Sequence, residues 1–240
     1  MPHRMPITNY TDGDKDTFRA QMLDGVRRNK AANPNYTIID IGGRHNPWAD
    51  ELVDVYVDVF PFETDKKLYV GDVNSEDIWR QLEADGPFDF AIVSHVFEDI
   101  RDPITGLNWL PRVAKAGFLG LPVKHREFVH WRSNYWFGQS HHNWIFGVKN
   151  DDNGEPILIT VPKWHCVSYF NPNIPDLPPI DDEDADLGPR TLEWFDPTKA
   201  GHDLELGVIW EGTLPFWTPS YMMMVADQIE TLRTVFSDGV

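Results

Sequence analysis

Cysteine is all but absent. Cys166 stands alone among 240 residues, so no disulfide can close within the chain, and a reducing compartment suits it. Long apolar runs are missing as well. No stretch approaches the roughly 18–20 residues that a membrane-spanning helix needs, and the opening MPHRMPITNYTDGDKD holds no apolar segment of the secretory kind. Positive charge is scarce: Lys and Arg number 21 against 38 Asp and Glu, a formal net charge of −17. So acidic a surface repels phosphate backbones, which argues against nucleic-acid partners and against docking on anionic lipid. The expectation is a cytoplasmic globular protein with neither nucleic acid nor membrane as partner. A hydrophobic fraction of 41%, with 10 Trp and 14 Phe, is ample for a packed core and excludes general disorder.

Periodicity supplies the elements. Phe18, Met22 and Val26 recur at helical spacing within residues 14–31, and Asn33-Pro34-Asn35 ends that helix. The run 36–43 (YTIIDIGG) is β-branched, apolar and closed by glycines, as a buried parallel strand is. Further strands are expected at 52–59, 67–73, 88–94 and 117–123. Helices are expected at 75–84, with Ser75 as N-cap, and at 104–115. Strands alternating with helices predict an α/β fold: a mostly parallel, twisted sheet flanked by helices, with ligands bound beyond the carboxyl ends of its strands. After the fifth strand comes a segment rich in aromatics and histidine. Residues 157–161 and 204–210 read as strands, residues 171–190 as an acidic, proline-rich solvated loop, and 219–237 as a terminal helix that buries Met222.

Three aspartates fall at consecutive strand ends: Asp40 before the glycine pair, Asp58 eighteen residues on, and Asp72 after the third strand. Eighteen approximates the interval from a glycine turn to an acid that binds a ribose diol, although Asp54 has nearly equal claim to that role. Converging on one cleft, the three would suit a ligand with a cationic portion, a ribose and an adenine. They would repel a pyrophosphate, and the turn DIGGRHNP lacks the full GxGxxG that cradles one. The balance tips from a nicotinamide dinucleotide, and hence an oxidoreductase, towards S-adenosylmethionine.

The segments IIDIGGRHNP (38–47) and SHVFEDIRDP (94–103) carry a family resemblance, continued by LPRVAKAGFLGLP (110–122), HHNWIF (141–146), VPK (161–163) and LELGVIWEGTLPF (204–216). On these pieces the chain resembles class I S-adenosylmethionine-dependent methyltransferases, in a branch with a DIGxGxNP-type turn and a SHVxEH-type segment. The resemblance implies a Rossmann-like fold with S-adenosylmethionine as cofactor and S-adenosylhomocysteine as product. It implies that Asp40, Gly42 and Gly43, with Arg44 and Asn46 of the same turn, line the methionine side. Asp58 would take the ribose hydroxyls, Asp72 and the Val73 N–H the adenine, and Ser94 and His95 would border the sulfonium. Arg44-His45-Asn46 stands where the branch has its third glycine, and Asp99 where it has a histidine.

Methyl transfer is an in-line displacement, so the protein must position the acceptor and remove its proton. Histidine is the natural base near neutral pH. His95, His125, His130, His141 and His142 are candidates, with His141 or His142 as the leading base and His95 near the transferring methyl. Trp131, Tyr135, Trp136 and Trp144 would offer flat apolar faces to a small-molecule or carbohydrate-like acceptor. His125, His130, His141, His142, His165 and Cys166 are of metal-ligating types, but none shows a spaced metal motif, and no metal is expected. The organisation expected is an N-terminal helical segment at 1–35 and a cofactor-binding core at 36–123. An acceptor-side insertion with the acidic loop would fill 124–200, and residues 201–240 would complete the sheet and end in a helix. The alternative in another class is a non-catalytic module of the same fold that docks a partner or small ligand. Oligomeric state and acceptor identity are not legible.

Overall fold

The computed structural model describes residues 6–131, 138–163, 185–187, 201, 203–219 and 235–236. The elements, in chain order, are β1 (Ile7–Asp14), α1 (Lys15–Ala32), β2 (Ile38–Ile41), β3 (Val55–Asp58), β4 (Lys67–Val70), α2 (Glu76–Asp85), β5 (Phe90–Ser94), α3 (Pro103–Val113) and β6 (Ala116–Pro122), then β7 (Val129–Trp131), β8 (Trp144–Asn150), β9 (Pro156–Pro162), β10 (Ala185–Leu187), β11 (Leu204–Glu211) and β12 (Phe216–Trp217).

Seven strands form one sheet in the order β1-β11-β6-β5-β2-β3-β4. The pairs β2–β3, β3–β4, β2–β5 and β5–β6 are parallel, whereas β11 runs antiparallel to both β6 and β1. The chain leaves β2 towards β3 and β4, then returns to lay β5 on the other side of β2. Strand order therefore reverses between β2 and β5, the place where open α/β sheets hold their ligands. This is the mixed, mostly parallel sheet that the alternation of elements predicts.

Side-chain alternation assigns the two faces. Ile39 and Ile41 pack with Val55, Val57, Trp79, Leu82, Leu107 and Leu110 beneath α2 and α3. Ile38, Tyr56, Phe90, Ile92 and Phe118 pack on the other face beneath Phe18, Met22, Leu23 and Val26 of α1. Burying those four α1 side chains contributes about 1.5–3 kcal/mol each, far more than the helix's own propensity could supply. Caps fix where the helices begin: Asp14, Ser75 and Asp102 accept from the backbone N–H groups of Thr17, Asp77 and Thr105. Pro103 occupies the first turn of α3, where its missing N–H costs nothing.

The N-terminal segment differs from its expected form. Residues 7–14 are not a lead-in to the helix but a strand, registered against β11 from Ile7↔Trp210 to Asp14↔Leu204. Its sequence, ITNYTDGD, shows no apolar alternation because it is an edge strand in which Ile7 alone is buried; the backbone ladder rather than burial defines it. Beyond β6, β8 and β9 form an antiparallel pair with β12 alongside β9 in parallel. Phe216 and Trp217 thus pair within their own chain. Trp131, the insertion residues Tyr135 and Trp136, the pair His165 and Cys166, most of the acidic loop and the terminal helix with Met222 lie outside what is described, wholly or in their side chains.

Candidate functional site

A cleft of about 370 Å³ opens at the carboxyl edge of β2, β3 and β4, lined by Gly42, Asp58, Asp72, Val73, Asn74, Val96 and Asp99 among others. That volume falls within the range of small-molecule sites. Asp58 ends β3, buried, with its carboxylate accepting the Phe60 N–H at 2.9 Å. Asp72 accepts from the backbone and side-chain amide nitrogens of Asn74 at 2.8 Å. Asn74 in turn accepts the Asp102 N–H at 2.9 Å, tying two walls together. Gly42 has φ +79°, and a Cβ there would lie 2.3 Å from a methyl carbon of Val96. Only glycine lets the chain turn this tightly beside the cleft.

Of the residues expected on the cofactor side, Gly42, Asp58, Asp72 and Val73 line this cleft; Asp40, Gly43, Arg44, Asn46, Ser94 and His95 are not among its lining residues. Asp40 is buried rather than open to the cleft. It shares a strand face with Ile38, and because both faces of β2 are covered it is fully enclosed, with Asn46 Nδ2 donating to it at 3.1 Å. Asp58 and Asp72 line the cleft, whereas Asp40 is enclosed against the turn, near enough to Asp58 for the two charges to interact. A Cβ on Gly43 would sit 2.5 Å from the Asp40 carboxyl carbon, which is why the turn needs its second glycine. Loss of solvation pushes Asp40 up to about 8, against the Asn46 hydrogen bond and with help from nearby Asp58. Arg44 is exposed and Asn46 buried. Asp54, the rival to Asp58, lies before β3 at its opposite end, where it receives Lys30 Nζ at 2.7 Å and the Ile38 N–H at 2.9 Å.

His95 follows β5 with φ 54°, a left-handed conformation uncommon outside glycine and several-fold enriched in histidine. Its Nδ1 lies 2.9 Å from Glu98 and its Nε2 3.0 Å from Glu205. Arg19 pairs with the same Glu205 and donates to Ser94 Oγ at 3.2 Å. Burial alone would lower the His95 pKa, but its bonds to Glu205 and Glu98 outweigh burial and lift it to about 9. Both ring nitrogens are thus engaged by carboxylates, which favours the protonated ring.

A second cluster stands beside it. His142 is buried, and its Nδ1 is 2.6 Å from Glu127 Oε1; the other oxygen of Glu127 receives Lys163 Nζ at 2.6 Å. Burial would raise the Glu127 carboxyl, yet its contacts with His142 and Lys163 hold it below the ordinary value. With Nδ1 engaged by Glu127, the other ring nitrogen, Nε2, lies 3.8 Å from Asp99. His141, its ring edge-on to His142 with centroids 4.6 Å apart, places Nε2 3.9 Å from the same Asp99 oxygen. Burial, then the Glu98 charge, raises Asp99 to about 6. Glu98, Lys163 and Glu205 fall within SHVFEDIRDP, VPK and LELGVIWEGTLPF while Glu127 and Arg19 lie outside those segments, and it is the pairing of buried opposite charges, visible only in the fold, that marks all five.

The methyltransferase-domain family matches residues 15–144, just over half of the chain. No curated protein matches. Among solved structures, the chain is similar to the N-terminal domain of EvdMO1 with SAH bound, at 14% identity over 78% of this chain and 79% of that one, TM-score 0.33. The same domain in the presence of SAH and D-fucose shows 14% identity over 78% and 81%, TM-score 0.35. At these scores the likeness says nothing about what this chain binds. Among the described residues no helix is long and apolar enough to cross a membrane.

Proposed function

The chain belongs to the methyltransferase-domain family, and from that premise we propose that it transfers a methyl group from S-adenosylmethionine to a hydroxyl or amine of a small-molecule or carbohydrate-like acceptor. The observation that carries the proposal is the cleft at the reversal of strand order, which joins a close-packed glycine turn to two aspartates at successive strand ends. In this reading Asp58 accepts the ribose hydroxyls, and Asp72 with the Val73 N–H meets the adenine. Uncharged glycine backbone at Gly42 leaves room for the amino-acid end. The cleft fits the cofactor in size and in donor chemistry, since two carboxylates favour a cation and disfavour a pyrophosphate.

Bound S-adenosylmethionine supplies an electrophilic methyl carbon on a positively charged sulfur. The chain's own part is to orient the acceptor and take its proton. His142 is built for that: Glu127 holds its tautomer, Lys163 holds Glu127, and Nε2 faces Asp99 at the rim of the cleft. A histidine oriented by a buried carboxylate is the arrangement general bases use. His141 serves as its neighbour on the acceptor side. His95, held between Glu98 and Glu205, secures the loop after β5 and takes no part as a base.

Calorimetry with S-adenosylhomocysteine tests the reading. Binding is expected in the micromolar range, with Asp58→Ala weakening it at least tenfold, about 1.4 kcal/mol. No binding to the folded wild type would end the proposal. Binding without turnover on a broad acceptor panel would favour the non-catalytic module instead.

A further inference from the structure

Asp99, His141 and His142 offer one carboxylate oxygen and two imidazole nitrogens, all within 4.8 Å of one another. The residues do not meet by chance of side-chain rotation. The Asn143 N–H donates to the Glu98 carbonyl and Asn143 Nδ2 to the Asp99 carbonyl, each at 2.6 Å, and Trp144 Nε1 donates to the Arg101 carbonyl at 3.2 Å. Backbone 98–101 and backbone 143–144 are stitched together, so the three side chains emerge from a joined platform. His142 also carries the outer partner that metal-bound histidines have: its Nδ1 is engaged by a buried carboxylate, leaving Nε2 to point at the other two groups.

We propose that Asp99, His141 and His142 bind a divalent transition-metal cation at the rim of the cleft, with its open coordination positions facing the acceptor. Two nitrogens and one oxygen suit Zn²⁺, Co²⁺, Fe²⁺ or Mn²⁺ better than Mg²⁺ or Ca²⁺, which prefer oxygen throughout. Three protein ligands with open positions are the catalytic rather than the structural pattern. Ligands about 2.1 Å from a common ion stand roughly 3.0–3.4 Å apart, so the separations of 3.8 and 3.9 Å must close by about half an ångström or more. The side chains of His141 and Asp99, 62% and 43% exposed, are free to make that adjustment around the buried His142.

The ion's catalytic task rests on the methyl-transfer reading. Coordinated to the metal, an acceptor hydroxyl becomes acidic enough to lose its proton to solvent. Its oxygen then forms the O–CH₃ bond as the C–S bond breaks, giving a methyl ether and the neutral thioether. His142 Nε2 is then a ligand, and the metal performs the activation otherwise left to that imidazole.

The test is a Co²⁺ titration of the full chain after EDTA treatment, read by visible ligand-field absorption and by competition with Zn²⁺. One equivalent is expected to bind with a low-symmetry spectrum. Asp99→Asn and His141→Ala, both solvent-facing changes checked for folding by circular dichroism, are expected to bind at least tenfold more weakly. Wild-type affinity in both variants, or no Co²⁺ spectrum from the wild type at millimolar metal, overturns the site. S-adenosylhomocysteine calorimetry on the same metal-free sample separates the two readings. Cofactor binding without Co²⁺ binding removes the metal and keeps methyl transfer, while Co²⁺ binding without cofactor binding keeps the metal site and removes its catalytic task.

Discussion

Asp40 is enclosed where water cannot reach it, against the glycine turn. Its folded pKa of about 8 stands above the 3.8 of an ordinary aspartate, so between those values the native state holds a proton that the unfolded chain has released. By linkage, this residue's contribution to stability falls as pH rises from about 4 to about 8. Asp40→Asn removes the titration while an amide oxygen can still accept from Asn46. The variant should gain stability over wild type in urea unfolding at pH 8, and gain less at pH 5; an unchanging difference would refute the assignment. Because Asp40 does not line the cleft, the same variant is expected to keep S-adenosylhomocysteine affinity within about threefold. The strand end and its glycines are legible from DIGG in the sequence. That its carboxylate is enclosed follows from the packing that covers both faces of β2, which no local pattern shows.

At the scale of elements, α1 lies on β11 with almost no clearance. A Cβ on Gly207 would come within 2.3 Å of the Phe18 ring, and Phe18 is itself packed against Phe118, with ring centroids 6.2 Å apart. Gly207→Ala must push the helix outward, and overpacking of this kind costs about 1–3 kcal/mol. Urea denaturation should show that loss, and an unchanged midpoint would mean the helix is not held there. The period of Phe18, Met22 and Val26 makes α1 readable from sequence, and β-branched runs do the same for β2, β3 and β5. β1 is not readable. Its partner β11 lies almost two hundred residues away, and an edge strand with a single buried side chain leaves no alternating pattern. Asp14 serves at once as the end of β1 and the cap of α1, so strand and helix share one residue and no loop marks the boundary.

Over the whole molecule, a net charge of −17 makes the folded state repel itself, since compaction brings the acids together. Raising ionic strength from about 10 mM to about 150 mM shortens the Debye length from about 30 Å to about 8 Å. The melting temperature is expected to rise by about 2–4 °C, the equivalent of roughly 1 kcal/mol for a chain this size; a fall would show that attractive pairs such as Lys30–Asp54 and Arg27–Glu51 dominate. Arg19 and Glu205, 186 residues apart, join α1 and β11 to His95 beside the site, and Glu127, His142 and Lys163 join three separate segments. The sequence by itself determined the alternation of strands and helices, the glycine turn, and Asp58 and Asp72 at strand ends, because each is written in local periodicity or in a short spacing. Only the tertiary structure decided that Asp40 is enclosed, that His95 sits between two carboxylates, and that Asp99 faces His141 and His142. Those outcomes depend on burial and charge pairing between segments distant in sequence, and no local pattern encodes the dielectric or the company a side chain will find.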